Sequence, residues 1–343
     1  MTIKAFTDFR ALQSDKLYFP FRAFVEQNPN GSYFQSGDFF QLCAQAAEFQ
    51  PVLFVAQGGN GQITGTLLSL VQVSGSGLKA WFSRRMTAWG GPLTGGGALE
   101  GRRACARQLL EAARQYALEH AIYMEFRNLH DTSEFRDIFE GAGFDYIPYL
   151  NFLLRTEDKT EVSRLMSRSR KRQIKSSLAA GAEIAEAGSE EEVMAFYQLL
   201  RQLYAEKVKK PLAGPDLFLR FWRLAAGKFF IVKYQGEVVG GNVCPVFGNR
   251  TVYEWYRCGR DQLRKGLHPS VLATWAPIEF AAGNGYRHFD FMGAGRPDEA
   301  YGVREFKARF GGEEVCYGRY SLVLDKALYS IGKLGIKIYQ MTR

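Results

Sequence analysis

A lysine between two aromatic residues is the side chain of this sequence best suited to chemistry. Lys307 follows Phe306 and precedes Phe310, and Gly302 and Gly311 bracket the segment. When an amine attacks an ester or thioester carbonyl, negative charge develops on the carbonyl oxygen, and a cation fixed beside it stabilises the transition state. We predict this role for Lys307. A surface lysine whose stem covers two phenylalanines would give the same pattern.

A carboxylate that could take the proton of the attacking amine ends a short apolar run. Asp290 lies in the segment His288–Phe291. A carboxylate within hydrogen-bond reach of an amine can act as its general base. A strand-end aspartate can equally cap the following turn. Both roles stay open.

Aromatic side chains lie on a predicted central strand, Thr251 to Cys258. Strand alternation sends Tyr253 and Trp255 to one face, and Glu254 and Tyr256 to the other. We predict that Tyr253, Trp255 and Tyr256 include residues that line a substrate groove. The alternative is that these rings belong only to the core.

The positive charge of the chain is concentrated in its second half. Residues 156–343 carry 30 basic and 21 acidic side chains, which accounts for the whole net charge of +9. Lys207 and Lys210, just before Pro211, are candidates for binding phosphate. Such a charge suggests tRNA, a diphosphate headgroup, coenzyme A or an anionic membrane face as partner, with a solvated basic surface as the alternative.

Several classes of protein and of chemistry are disfavoured. The composition, 46% hydrophobic and 23% charged, is globular. The longest apolar runs are far shorter than the roughly 20 residues of a membrane-spanning helix. The N-terminus has no secretory pattern, so we expect a cytoplasmic protein. The five cysteines and four histidines have no metal-ligand spacing, and no G-x-S-x-G elbow is present, so we expect no metal and no serine nucleophile.

The same order of elements occurs twice: an antiparallel meander, a helix, a strand, a short helix and another strand. The long helices are expected from Arg102 to His120 and from His268 to Gly283. This order resembles the GNAT acetyltransferase fold. Its repetition predicts an α+β protein of two tandem GNAT-like domains, residues 1–155 and 156–324, with residues 325–343 packing back on the first.

Six segments, in order along the chain, resemble FemAB-type aminoacyltransferases. They are Ser32–Phe39, Gly90-Gly91-Pro92, Arg168–Lys175 with Ala180-Gly181, Phe196–Lys207, Arg287–Gly293 and the Gly302–Gly312 box with its Phe-Lys pair. Each match is weak alone, and the ordered set is specific.

The resemblance implies transfer of an amino acid from aminoacyl-tRNA to an amine of a peptidoglycan precursor. It implies that Lys307 helps to stabilise the transition state, and that basic and tyrosine side chains hold the sugar-diphosphate of the acceptor in a groove between the domains. Arg304 and Phe306, in the same box as Lys307, are expected to bind substrate. No cofactor is required beyond the aminoacyl-tRNA or acyl-CoA donor.

Two departures from the family pattern bear on the substrates. Lys207 lies near the position where the family has an arginine for the acceptor's phosphates, and lysine is less able to form paired hydrogen bonds. The long helical hairpin that some members are thought to use on tRNA is missing. The basic segment from Arg164 through Lys175 could bind a tRNA backbone or be a solvated face.

An acyl-CoA-dependent N- or O-acetyltransferase acting on a cell-envelope glycan, lipid or small amine is the first alternative. Such enzymes bind the pyrophosphate on a glycine-containing loop before a helix. The loop Arg260–Leu267 is basic but has a single glycine, so it fits in part, with Arg260 as a binding residue. The second alternative is a non-catalytic module that binds polyanions, although no dedicated nucleic-acid motif is present and DNA is not expected.

The C-terminal segment has an amphipathic pattern. Leu324, Leu328, Ile331 and Ile338 fall on one helical face, and Lys326, Lys333 and Lys337 fall opposite. This helix could rest on the inner face of the membrane, where a lipid-linked acceptor would lie. Docking on the first domain is the alternative that we favour.

Overall fold

The computed structural model describes residues 1–73 and 83–332 and divides the chain into two compact units. Unit 1 comprises Met1–Pro148 and Tyr317–Arg343, and unit 2 comprises Tyr149–Cys316. The boundaries differ from those drawn on the sequence, because the strand Asn151–Arg155 pairs within unit 2 and the strand Arg319–Val323 pairs within unit 1.

Unit 1 is built on an eight-stranded sheet with the order β1-β2-β3-β4-β6-β16-β7, and β5 pairs with β3. Its strands are β1 Thr2–Phe6, β2 Phe49–Gln57, β3 Ile63–Gln72, β4 Arg85–Trp89, β5 Leu93–Thr94, β6 Tyr123–Arg127, β7 Asp145–Ile147 and β16 Arg319–Val323. Its helices are α1 Phe9–Gln13, α2 Tyr18–Gln27, α3 Gly37–Ala44, α4 Leu99–His120 and α5 Arg136–Gly141, with 3₁₀ turns at Tyr33–Gln35 and Ser133–Phe135.

The core of unit 1 lies between this sheet and α4. The inner face of α4 carries small and aliphatic residues, including Cys105, Leu109 and Ala113, and they pack against β2 and β3. Buried strand residues such as Val52 and Leu67 complete the contact. The spacing of these apolar positions along α4 is that of one helical face, which accounts for how the helix sits on the sheet.

Unit 2 has a second eight-stranded sheet, with the order β15-β8-β14-β12-β11-β10-β9, and β13 pairs with β11. Its strands are β8 Asn151–Arg155, β9 Ala182–Glu186, β10 Gly227–Tyr234, β11 Glu237–Phe247, β12 Thr251–Tyr253, β13 Tyr256–Gly259, β14 His288–Asp290 and β15 Glu313–Val315. Its helices are α6 Lys159–Leu165, α7 Arg168–Ala179, α8 Glu190–Leu203, α9 Pro215–Trp222, α10 Pro269–Gly283 and α11 Gly302–Ala308, with a π-helical turn at Tyr204–Val208.

The most apolar helix of unit 2 is α10, which packs on β11 and β13. Pro269 occupies its first position, where the missing N–H is harmless. Most of its side chains are buried, including Leu272, Ala276 and Ile278. At Gly259 the strand β13 approaches the first turn of α10 so closely that an added Cβ would lie 2.4 Å from the Ser270 nitrogen. Only glycine fits there.

Candidate functional site

The predicted central strand Thr251 to Cys258 is interrupted, and the interruption creates the candidate site. β12 ends at Tyr253 and β13 begins at Tyr256. Between them the Glu254 N–H donates to the Asp290 carbonyl (2.8 Å), whereas the Trp255 N–H donates to the Val243 carbonyl (3.0 Å). β12 pairs with β14, but β13 pairs only with β11 among the described strands. The sheet therefore opens between β13 and β14, beside Glu254.

The interruption overturns the alternation expected for the aromatic residues. Trp255 and Tyr256 are neighbours, with ring centroids 5.0 Å apart, and both rings pack against α9, Trp255 on Phe221 and Tyr256 on Phe218. Tyr253 is buried. Alternation fails because Glu254 and Trp255 lie outside both strands.

Lys307 is buried at the C-terminal end of β14. Its side-chain nitrogen donates to the main-chain carbonyls of Phe291 and Gly293 (3.0 Å to the latter) and lies 3.1 Å from Oε1 of Glu254. Burial lowers the pKa of Lys307, and the Glu254 carboxylate opposes this change. All three N–H groups of the ammonium have an acceptor, so Lys307 would reach a substrate oxyanion only by releasing one of them.

Glu254 is the partner that sequence reasoning did not select. Its side chain is 4% exposed. Besides Lys307, its carboxylate accepts hydrogen bonds from the Asn242 amide (3.3 Å) and the Thr274 hydroxyl (3.4 Å). Arg257 lies 3.7 Å away. These contacts with a cation and two neutral donors hold the carboxylate of Glu254 in one orientation, as a general base requires.

Asp290 lies next to this pair and has different partners. Its Oδ1 accepts from the Asn151 amide and from the Met292 N–H, both at 2.7 Å. Asn151 in turn accepts from the Gly293 N–H at 2.7 Å. Burial raises the pKa of Asp290 to about 6. The contacts with Asn151 and Met292 fasten the turn after β14, the capping role that the sequence left open, and the base role of Asp290 stays a prediction.

Phe306 lies beside Lys307 on α11, with its ring beneath two guanidinium groups. The Arg170 and Arg257 guanidinium carbons lie 4.2 and 4.3 Å from the ring centroid. The Phe310 ring is 5.4 Å away. Arg170 comes from the basic helix α7, where it is buried, although nothing in the sequence distinguishes it from its exposed basic neighbours.

The predicted phosphate-binding residues are only partly brought together. Lys207 and Arg260 line one cleft of about 320 Å³, together with Glu206 and Asp261. Lys210 is exposed and does not line this cleft. Arg304 donates to the main-chain carbonyls of Ala294 (3.0 Å) and Arg296, so it fastens the loop between β14 and α11. Their substrate-binding roles stay predictions.

The N-terminus of α10, where the sequence places a pyrophosphate loop, is occupied by an acidic side chain. The Ser270 N–H donates to the Asp261 carboxylate at 2.8 Å. The Val271 and Leu272 N–H groups donate to the His268 carbonyl at 3.0 and 3.1 Å, and Pro269 has no N–H. A helix N-terminus binds phosphate through free N–H groups, and these have partners already.

The described part of the C-terminal segment lies on unit 1. Residues 326–332 are helical, and the Tyr329 ring lies 5.4 Å from the Tyr123 ring. Ile331 is exposed. Lys333, Lys337 and Ile338, which define much of the amphipathic pattern, lie outside the described residues. No helix in residues 1–73 and 83–332 is both long and apolar enough to cross a membrane.

Known proteins share both this fold and, in unit 2, its sequence pattern. Residues 164–307 match the model of a family described as acetyltransferase (GNAT) domain. The crystal structure of FemX superposes with a TM-score of 0.67 at 13% identity, over 96% of this chain and 99% of that one. The chain is a tandem GNAT-fold transferase. The predicted α+β architecture of two tandem GNAT-like domains is thereby confirmed.

Two further solved structures place the tandem GNAT fold in different settings. A tandem GNAT protein from the clavulanic acid biosynthesis pathway is 11% identical, with a TM-score of 0.58 over 94% of this chain and 99% of that one. The C-terminal domain of a putative lysylphosphatidylglycerol synthetase from Agrobacterium fabrum is 13% identical, with a TM-score of 0.54 over 92% and 94%. No curated protein matches the sequence significantly. At these identities the likeness is one of fold.

Proposed function

We propose that this transferase moves an aminoacyl group from an aminoacyl-tRNA to an amine of a cell-wall precursor in the cytoplasm. The observation that carries the choice of donor is the Asp261 carboxylate on the first turn of α10, 2.8 Å from the Ser270 nitrogen. A coenzyme A pyrophosphate at that position would meet a negative charge and no free N–H. An aminoacyl-tRNA does not need that site.

The buried pair of Glu254 and Lys307 supplies the chemistry in this proposal. The acceptor amine attacks the ester carbonyl, the new C–N bond forms, and the ester C–O bond breaks. Glu254 takes the proton that the amine loses and returns it to the departing ribose oxygen, so that the sugar leaves as a hydroxyl and Glu254 is a carboxylate again. Lys307 is the counter-ion of Glu254 and adds positive charge near the developing oxyanion.

The acceptor is assigned by resemblance and by charge. The sugar-diphosphate of a peptidoglycan precursor suits the cations Lys207 and Arg260, which share a cleft. A lipid-linked acceptor is the alternative, because the C-terminal domain of a putative lysylphosphatidylglycerol synthetase has a similar fold. Lys207 and Arg260 would then bind the phosphate of the lipid. Neither acceptor requires the chain itself to cross a membrane.

An acyl-CoA-dependent acetyltransferase is the second candidate, because the matching family model is that of an acetyltransferase domain. In that case the donor would have to bind without the N–H groups of α10, or Asp261 would have to move away when it binds. Transfer of an acetyl group would otherwise use the same pair, Glu254 and Lys307.

A donor competition separates these candidates. The full chain is incubated with a UDP-linked muramyl peptide and either mixed aminoacyl-tRNAs or acetyl-CoA, and the products are identified by mass spectrometry. We expect aminoacyl transfer that Glu254→Gln abolishes and that Glu237→Gln, an exposed carboxylate at the start of β11, leaves unchanged. Acetyl transfer dependent on Glu254 would replace the proposal with the acetyltransferase. Phosphate-dependent binding without transfer from either donor would favour a polyanion-binding module.

A further inference from the structure

Arg170 is a buried cation with an incomplete set of partners. It is 5% exposed, and it shares the inner face of α7 with Ile174 and Ser177. Its guanidinium donates to Gln173 (2.6 Å) and to the Phe306 carbonyl (3.2 Å). Its Nε is buried and has no hydrogen-bond partner among the described residues. A buried donor without an acceptor is costly unless a ligand supplies one.

Arg257, on β13, is a second cation with an incomplete set of hydrogen-bond partners. Its Nε is buried without a hydrogen-bond partner in the described part of the chain, and it lies 3.7 Å from Oε2 of Glu254, beyond hydrogen-bond length. Glu254 is already engaged by Lys307 at 3.1 Å. One carboxylate therefore faces two cations, and the second cation has no anion of its own.

A third arginine increases this surplus of positive charge. Burial, together with the neighbouring cations Arg309 and Arg257, lowers the pKa of Arg170 to about 10. Asp261 alone acts in the opposite direction. Arg170 and Arg257 thus lie against the ring of Phe306, and Arg309 adds a third positive charge that acts on Arg170. A group of this kind is typical of sites that bind a phosphate.

We propose that Arg170 and Arg257 form a subsite for the phosphate of the terminal nucleotide of an aminoacyl-RNA donor. The inference rests on the proposed function and names the part of the donor that this chain recognises. Arg257 offers the more accessible guanidinium, with 18% of its side chain exposed. Arg170, whose guanidinium lies over the rings of Phe306 and Phe310, supplies the second cation.

The short distance between Arg257 and Glu254 selects this phosphate over others. In an aminoacyl-RNA the ester and the nearest phosphate are on the same ribose. In an acyl-CoA the pantetheine arm separates the thioester from the phosphates, and in a sugar-diphosphate acceptor the peptide separates the amine from the diphosphate. Because Arg257 Nε lies 3.7 Å from Oε2 of Glu254, a phosphate bound by Arg257 would lie close to the general base, which suits the first arrangement.

The test combines two ligands with three proteins. The ligands are stable 3′-amide analogues of aminoacyl-adenosine, one with and one without a 5′-phosphate. The proteins are the wild-type chain and Arg257→Gln, with Arg287→Gln, an exposed arginine at the start of β14, as the matched control. Dissociation constants are measured by calorimetry, so that the readout does not depend on catalysis.

We expect the 5′-phosphate to strengthen binding about tenfold or more in the wild type and in Arg287→Gln, and less than twofold in Arg257→Gln. Equal strengthening in all three proteins, or none in the wild type, would overturn the subsite. Displacement of the phosphorylated analogue by coenzyme A with the same dependence on Arg257 would also overturn the assignment to RNA.

Two variants of Arg170 distinguish loss of the subsite from a folding defect. Arg170→Lys keeps the charge and loses the planar fork, and Arg170→Gln loses both, so the phosphate effect should be reduced in the first and absent in the second. Each variant is compared only after its thermal unfolding shows a folded protein. A phosphate effect without aminoacyl transfer would support the subsite and contradict the proposed function. Aminoacyl transfer without a phosphate effect would support the proposed function and contradict the subsite.

Discussion

The side-chain nitrogen of Lys307 lies 3.1 Å from Oε1 of Glu254, and both side chains are less than one-tenth exposed. The pair joins α11 to the break between β12 and β13. Removing one member leaves the other as a buried charge without its counter-ion, which is more costly than the pair itself is stabilising. This asymmetry makes the pair testable by unfolding experiments alone.

Lys307→Met should destabilise the protein by about 3–5 kcal/mol, because Glu254 would lose its counter-ion. The double variant Lys307→Met/Glu254→Gln should recover part of that loss, since no charge is then left unpaired. Denaturation in urea measures both values, and Lys265→Met, an exposed lysine, serves as control. If the double variant loses the sum of the two single losses, the two side chains are not coupled.

Glu254→Gln should reduce the rate of transfer by about 10²–10⁴-fold, because the amine would lose its general base. Asp290→Asn should reduce it less than tenfold, since an amide still accepts from the Met292 N–H. Single-turnover kinetics with saturating donor distinguishes the two. A larger effect at Asp290 would restore that residue as the base, as the sequence first suggested.

Asp290 should make stability fall as the pH rises. Burial raises its pKa to about 6 from an ordinary value of 3.8. Between these pH values the folded state binds more protons than the unfolded state, so the free energy of unfolding falls from about pH 4 to pH 6, by up to about 3 kcal/mol.

The variant Asp290→Asn isolates this contribution, because all other titratable side chains are the same in both proteins. The wild type should lose stability relative to the variant between pH 4 and pH 6, and the difference should be level above pH 7. Urea midpoints at each pH measure it. A constant difference across this range would show that Asp290 does not titrate there.

Asp261→Asn should raise the affinity of α10 for anions. The amide oxygen can still accept from the Ser270 N–H, and the negative charge is gone. Pyrophosphate should therefore raise the melting temperature of the variant more than that of the wild type. An equal shift in both would mean that Asp261 does not exclude phosphate, and the case against coenzyme A would weaken.

The sequence predicted the helices and strands better than it predicted the side chains that contact Lys307. The long helices expected from Arg102 to His120 and from His268 to Gly283 have local signals, and the structure has them at Leu99–His120 and Pro269–Gly283. Lys307 was singled out by its aromatic neighbours. Glu254 was overlooked because a continuous strand would have placed it beside Tyr256, and the break that separates them depends on hydrogen bonds to β11 and β14, distant in the chain.

Arg170 and Asp261 show the same limit. In sequence, Arg170 is one of several cations of a basic helix, and only packing against Phe306 and Phe310 distinguishes it from its exposed neighbours. Asp261 lies in a loop that reads as basic, and its role arises from a bond to Ser270, nine positions later. Burial and loop closure set both, and neither has a local sequence signal.

The route of the chain through the two units has a consequence for biosynthesis. Unit 2 occupies Tyr149–Cys316, but β16, which lies between β6 and β7 in the sheet of unit 1, follows it in sequence. The sheet of unit 1 cannot be completed until β16 has been synthesised, which happens after the whole of unit 2. Every strand of unit 2 is synthesised before β16. The part made second can thus finish folding first, and a released chain that ends at residue 316 would hold every strand of unit 2 but would lack one strand of unit 1.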